Sequence, residues 1–188
     1  SDATLAAIKI VGDNDITGLQ REFEQVKLLT TKEHPDNVKQ ILPSTASTGV
    51  FILPGDEGKM IGAAAMFEPV GDSSLAYVTL TQSLFNQLFN SLSRLHQYNI
   101  IHDDPRLPNV VRVPSSKNAS PADGPPSSSA AADDRLVWID FQRCDQGGKS
   151  SDCLILLQSC FPIDGLSDAR KALAQQYSAL KPEDLTNW

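Results

Sequence analysis

Cysteine is scarce in this chain. The three present, Cys144, Cys153 and Cys160, are an odd number with no C-x-x-C pair. That argues against a disulfide framework and a structural zinc site, and it fits a reducing compartment. Long apolar runs are also missing, and none approaches the ~18 residues of a membrane-spanning helix. Basic charge is in the minority, with 16 Lys and Arg against 23 Asp and Glu, a net charge of −7 and a pI near 4.8. An acidic chain repels phosphate backbones, so general nucleic-acid binding is disfavoured. Ser1-Asp2-Ala3-Thr4 carries no basic leader segment, so an intracellular protein of cytoplasm or nucleus is expected.

What remains is enough for one domain: 188 residues, 40% of them hydrophobic. Thr4–Val11 reads as a strand that stops at Gly12-Asp13-Asn14-Asp15. Leu19, Phe23, Val26 and Leu29 recur at helical steps, with Asp15 or Thr17 as cap and His34-Pro35 as the stop. Gly49–Leu53 and Met60–Phe67 flank a turn and predict a hairpin. From Tyr77 to Tyr98 a helix is expected, its leucine face formed by Leu80, Leu84, Leu88, Leu92 and Leu95. Val110–Val113 and Leu136–Ile139 read as strands. Pro114–Asp134 between them has no bulky apolar residue and is expected to be a disordered insertion. Helices are expected over Asp152–Phe161 and Ser167–Leu180. The Asn118-Ala119-Ser120 acceptor triplet is too common a pattern to carry weight.

The informative stretch is Leu95-His96-Gln97-Tyr98-Asn99-Ile100-Ile101-His102-Asp103-Asp104-Pro105-Arg106-Leu107-Pro108-Asn109. A helix ends, a short apolar strand follows, and then come His-x-Asp and an Asn five residues after that Asp. Thirty-one residues beyond Asn109 a second strand ends in Asp140-Phe141. An amide oxygen and carboxylates at strand ends make an oxygen-rich site of the kind that suits Mg²⁺ with substrate phosphates. A carboxylate held off the metal can orient or deprotonate a hydroxyl, and an adjacent Arg can neutralise a transferring phosphoryl group. These are the needs of phosphoryl transfer.

The spacing resembles the protein-kinase catalytic loop H-x-D-x-x-x-x-N followed by D-F-G, and the Leu95-His96-x-x-x-Ile100-Ile101-His102 lead is similar to the kinase approach to that loop. The resemblance implies an α+β, protein-kinase-like two-lobed fold, N-terminally truncated and with a shortened C-terminal lobe. Residues 1–70 would form a partial N-lobe and 71–188 the C-lobe, with the insertion at 114–134. It implies ATP and Mg²⁺ as cofactors. Asp104 would act on the acceptor hydroxyl, and Arg106 on the transferring phosphate. Asn109 and Asp140 would hold the metal. Ala7-Ile8-Lys9 resembles the A-x-K of a kinase strand, which puts Lys9 on the nucleotide phosphates with Glu22 as its partner. Glu24 stays open as the alternative. Met66-Phe67-Glu68-Pro69-Val70 looks like the hinge that receives adenine, through Glu68 and Val70. His102 would brace the loop through backbone hydrogen bonds, and Asp152 would pin it from below or simply cap its own helix.

Several departures qualify the resemblance. Only eight residues precede Lys9, leaving no Gly-rich loop, and Gln142 stands where D-F-G has glycine. Asp103 replaces the Arg that commonly receives an activation-loop phosphate. Eleven residues separate Asp140 from Asp152, with no Ala-Pro-Glu. The stretch Asp104-Pro-Arg-Leu-Pro-Asn109 with Trp138-Ile-Asp-Phe141 most resembles the divergent kinase-like domains of fungi and oomycetes, including kinase-type Crinkler effectors. A chain of that kind would be secreted and act inside a host cell. Two functions are therefore expected to compete. One is a phosphotransferase acting on a hydroxyl, protein Ser/Thr ahead of a small molecule. The other is a catalytically inactive kinase-fold interaction module.

Overall fold

The computed structural model describes residues 5–71, 73–113, 134–144, 147–161 and 167–180. Apart from Asp134, the expected insertion 114–134 lies outside the described residues. The architecture is mixed α/β. Strand β1 (Ala7–Gly12) leads through a single 3-10 turn into helix α1 (Ile16–Thr31) and the one-turn helix α2 (Asp36–Lys39). Strands β2 (Ser44–Thr45), β3 (Phe51–Pro54) and β4 (Met60–Glu68) follow. Then come β5 (Ser73–Ser74), α3 (Gln82–Gln97), β6 (Val110–Val113), β7 (Arg135–Trp138), α4 (Lys149–Cys160) and α5 (Ser167–Ser178).

Strand β4 organises the first sheet. It pairs antiparallel with β1, β2 and β3, and its register sets Lys9 opposite Ala65 and Val11 opposite Ala63. Ala63 and Ala65 are small enough for α1 to lie close on that face, where Ile16, Leu19 and Phe23 cover them. Successive strand residues alternate faces, so Ile8 and Ile10 point the other way and stay more than half exposed. A second sheet runs β5-β6-β7. Its β6–β7 register pairs Val110 with Trp138. The backbone N–H of Ile139 donates to the Asn109 carbonyl, so Asn109 and Asp140 come out at the same end of the hairpin.

The main core joins Val26 and Leu29 of α1 to Leu88, Leu92 and Leu95 of α3, Trp138 of β7 and Leu156 of α4. Buried Trp138 also donates its indole N–H to Ser91 Oγ at 2.9 Å. The leucine stripe predicted for α3 is this core, but the helix begins later than expected. Thr81 Oγ1 accepts from the Leu84 N–H at 3.1 Å and starts the helix there, so Leu80 packs on the core from outside it. Helix α1 ends at Thr31, before His34-Pro35, and β1 begins at Ala7 rather than Thr4. Strands β2 and β5 and helix α2 are too short to leave a periodic signal.

Truncation should discriminate the two faces. Leu92→Ala, at a site with no exposed surface, should cost about 2–5 kcal/mol in urea denaturation. Leu28→Ala, half exposed on α1, should stay within about 0.5 kcal/mol of the parent.

Candidate active site

Three segments distant in sequence meet at Lys9. Its Nζ donates to Glu22 Oε2 at 2.6 Å and to Asp140 Oδ1 at 3.1 Å. Glu22 is buried in the face of α1 that packs on the sheet, whereas Glu24, two residues on, is exposed. Burial alone would lower Lys9, but Glu22 and then Asp140 outweigh it, and the ammonium holds its proton more tightly than an ordinary lysine. Burial pushes the Glu22 carboxyl up against the pull of Lys9. The two directions differ on where the shared proton sits. The ion pair is the state that stands, because one ammonium faces two carboxylates.

The loop from Ile100 to Asn109 is built from the end of α3. Asn99 takes a left-handed φ of 56°, and the Asn99 and Ile100 N–H groups turn back to the carbonyls of His96 and Leu95. Asn tolerates that conformation, and the cap packs Ile100 beside Leu95 in the core. The chain then reaches His102, which is fully buried. His102 Nε2 donates to the Ile139 carbonyl at 3.0 Å, and Nδ1 accepts from the Asp104 N–H at 3.3 Å. The ring thus ties the loop to the strand that ends in Asp140. Burial pushes the His102 imidazole below its usual value, against Asp152 and the other nearby carboxylates, and both hydrogen bonds suit the neutral ring.

Asp152 holds the loop from the other side. Its Oδ2 accepts from the His102 N–H at 2.8 Å and from His96 Nε2 at 2.9 Å, and its Oδ1 accepts from the Asp103 N–H at 2.8 Å. The other ring nitrogen, His96 Nδ1, is hydrogen-bonded to the Tyr177 hydroxyl at 2.8 Å. The simple-cap reading of Asp152 is therefore corrected. Gly148 occupies the N-cap of α4, and Asp152 lies in the first turn with its carboxylate turned to the loop.

Asp104 accepts from Arg106 Nε and Nη2 at 2.6 Å each, and Asn109 Nδ2 donates to its Oδ2 at 3.1 Å and its carbonyl at 2.8 Å. Arg106, expected to meet a transferring phosphate, is thus folded back on Asp104. The planar guanidinium fork matches both oxygens of a carboxylate two residues away. Asp103 has a left-handed φ of 67°, and its side chain accepts the Gly147 N–H. A Cβ on Gly147 would overlap that carboxylate, so a larger residue there would push the Asp103 side chain off its contact.

Lys9, Glu22, Glu68, Val70, Asn109 and Asp140 line one cleft of about 400 Å³, with Phe67, Val111 and Ile139 among its apolar walls. Asp104 and Arg106 are not among its lining residues; Asp104 adjoins the cleft through Asn109. For a divalent metal, Asn109 Oδ1 and Asp140 Oδ2 are the oxygens that the Asp104 and Lys9 contacts leave open, which fits a cation that takes one carboxylate and completes its shell with phosphate and water. Among the described residues, no group of three or more His, Cys, Asp or Glu could hold a metal. A thiol nucleophile does not arise in α4, where burial pushes Cys153 up to about 12 and Cys160 up to about 11. Sequence reasoning left out Tyr177 and Gly147. A single Tyr on a polar helix and one Gly in a Gly-Gly pair carry no local signal of these contacts.

No family model matches the chain, and no curated protein matches it by sequence. Among solved structures it is similar to one titled "WaaP in complex with acyl carrier protein", at 14% identity over 94% of this chain and 82% of that one, with a TM-score of 0.41. So distant a likeness leaves the chemistry to the geometry above. No helix among the described residues is long and apolar enough to cross a membrane.

Two outcomes follow from the loop. Asp103→Ala should lower stability by about 1 kcal/mol, while Asp103→Asn, which keeps an acceptor for Gly147, should lose less; thermal melts of the two variants decide. His102 sets a pH dependence. Its folded value lies below the unfolded one, so stability is full above about pH 6.5 and falls as the unfolded chain takes up the proton. Denaturation at successive pH values should show a loss approaching about 1.4 kcal/mol per unit below that point, flattened in His102→Asn.

Proposed function

We propose that this chain is a divergent domain of the protein-kinase-like superfamily, transferring a phosphoryl group from ATP with Mg²⁺ to a hydroxyl, on protein Ser/Thr ahead of a small molecule. The observation that carries the reading is Lys9, whose ammonium lies between Glu22 and Asp140, 13 and 131 residues away, inside a cleft that Asn109 also lines. Packing alone has no need of a half-buried Lys facing two carboxylates. A polyphosphate does, because Lys9 can give up Asp140 for a phosphate oxygen and keep Glu22.

In this reading the apolar walls near Glu68 and Val70 take the adenine ring. Asn109 and Asp140 hold Mg²⁺, which when bound neutralises phosphate charge. Asp104 accepts or orients the acceptor hydroxyl, and Arg106 moves from Asp104 toward the phosphate as that hydroxyl arrives. Asp152 and His102 hold the loop so that these groups need no rearrangement of the backbone. The Asp104–Asn109 stretch and Trp138-Ile139-Asp140-Phe141 favour the fungal and oomycete group that includes kinase-type Crinkler effectors, whose members would act inside a host cell.

A second reading rests on Arg106. With both oxygens of Asp104 engaged by its guanidinium, a kinase-fold interaction module without catalysis would also present this arrangement.

Nucleotide binding by calorimetry, with and without Mg²⁺, followed by ATP turnover on the full natural protein, separates the two. Asp140→Ala should abolish Mg²⁺-dependent binding while the fold persists. Asp104→Asn should cut turnover by roughly 10²–10⁴ with nucleotide affinity within a few-fold. No binding and no transfer in the parent would leave the interaction module.

A further inference from the structure

We propose that Gln142, seated against the bare backbone of Gly18, is the positioning residue that fixes how closely Glu22 approaches Lys9 and Asp140. The inference rests on the phosphotransferase reading for its consequence in rate, but not for its consequence in structure.

Gly18 lies in the first turn of a sixteen-residue helix and shows no positive φ. Its backbone torsions therefore do not call for glycine, and glycine in a helix is less stable than Ala by about 1 kcal/mol. Close approach supplies the reason. A Cβ at position 18 would overlap the Gln142 side-chain amide nitrogen and Asp15 Oδ1. Both are side-chain ends: Asp15 is exposed and swings aside, and Gln142 is only partly buried in the 3-10 turn Phe141–Arg143, so a methyl at position 18 displaces the Gln142 amide from its seat on α1 rather than meeting a rigid wall. That turn packs directly on α1.

The turn begins one residue after Asp140, and Gly18 stands four residues before Glu22. Residues four apart share a helix face, so the face that receives Gln142 is the face that carries Glu22. The Gln142–Gly18 contact and the Glu22–Lys9–Asp140 bridge are thus neighbouring points on one seam. Lifting α1 off the turn at Gly18 withdraws Glu22 from Lys9 and from Asp140 together. Glu22 is almost fully buried and has Lys9 as its counter-ion, so a small retreat leaves a poorly paired buried carboxylate. The side chain at the position where the kinase pattern has glycine acts here as the spacer, and the glycine lies across the seam in α1.

Hydrogen–deuterium exchange of the α1 amides and steady-state kinetics test this in four proteins: the parent, Gln142→Ala, Gly18→Ala and the double variant. Gly18→Ala, which displaces the Gln142 amide, should speed exchange over residues 19–24 up to about tenfold and lower kcat by a similar factor, with the acceptor KM little changed. Gln142→Ala, which removes the spacer without a clash, should keep the parent fold, speed α1 exchange several-fold and lower kcat by a smaller factor. The double variant should recover most of the Gly18→Ala loss, because the methyl then fills the space the amide vacated. Unchanged α1 exchange in Gln142→Ala, or a double variant as loose as both single losses combined, overturns the proposal. Should Gly18→Ala fail to fold, the Gln142→Ala exchange decides alone. If the parent turns over no ATP, the phosphotransferase reading falls, while the exchange measurements still decide the role of Gln142.

Discussion

A carboxylate with no exposed surface is costly unless its lone pairs are taken, and Asp152 meets that condition with three donors. Two are backbone N–H groups of successive loop residues, His102 and Asp103, and the third is His96 from α3. One buried charge therefore fixes the end of α3, the loop that follows it and the first turn of α4. Tyr177 extends the network into α5 through His96. The loop's shape is set from beneath by a group that takes no part in the cleft, and the residues facing the cleft are left to differ in role.

From that anchor the cleft follows in short steps. His102 links the loop to the Ile139 carbonyl, and the β6–β7 register sets Asn109 beside Ile139. Asp140 comes next and turns through a left-handed φ of 65°. Its carboxylate meets Lys9, and Lys9 meets Glu22. Each step is a polar contact over an apolar core, so the groups are held by packing and by hydrogen bonds at once. Arg106 is the exception: its side chain is more than half exposed, and its guanidinium is held by Asp104, two residues away. The guanidinium face turned to solvent stays open to water and to an incoming anion.

Much of this was legible in the residues. The periodicity of Leu84, Leu88, Leu92 and Leu95 marked the core face of α3, and Leu19, Phe23, Val26 and Leu29 marked that of α1. The His102-to-Asn109 spacing and the strand ending in Asp140 marked the cleft. The side-chain position of Arg106 was not legible, because a fork two residues from a carboxylate can face it or turn away at little cost. The loop-pinning role of Asp152 was legible only through the resemblance, since a helix's first turn favours an acidic residue whether or not that residue reaches another segment.

By itself the sequence determined the longer elements and which of their faces are apolar, because hydrophobic periodicity is local and needs no partner to be read. It also determined which residues could carry charge chemistry, because those types are few. Only the tertiary structure decided between Glu22 and Glu24 as the carboxylate at Lys9. The two stand on one helix within a turn of each other, and which faces the sheet depends on the rotation of α1 against Ala63 and Ala65. It alone brought the Gln142 side chain against Gly18, since a close approach involves two segments and leaves its trace in neither.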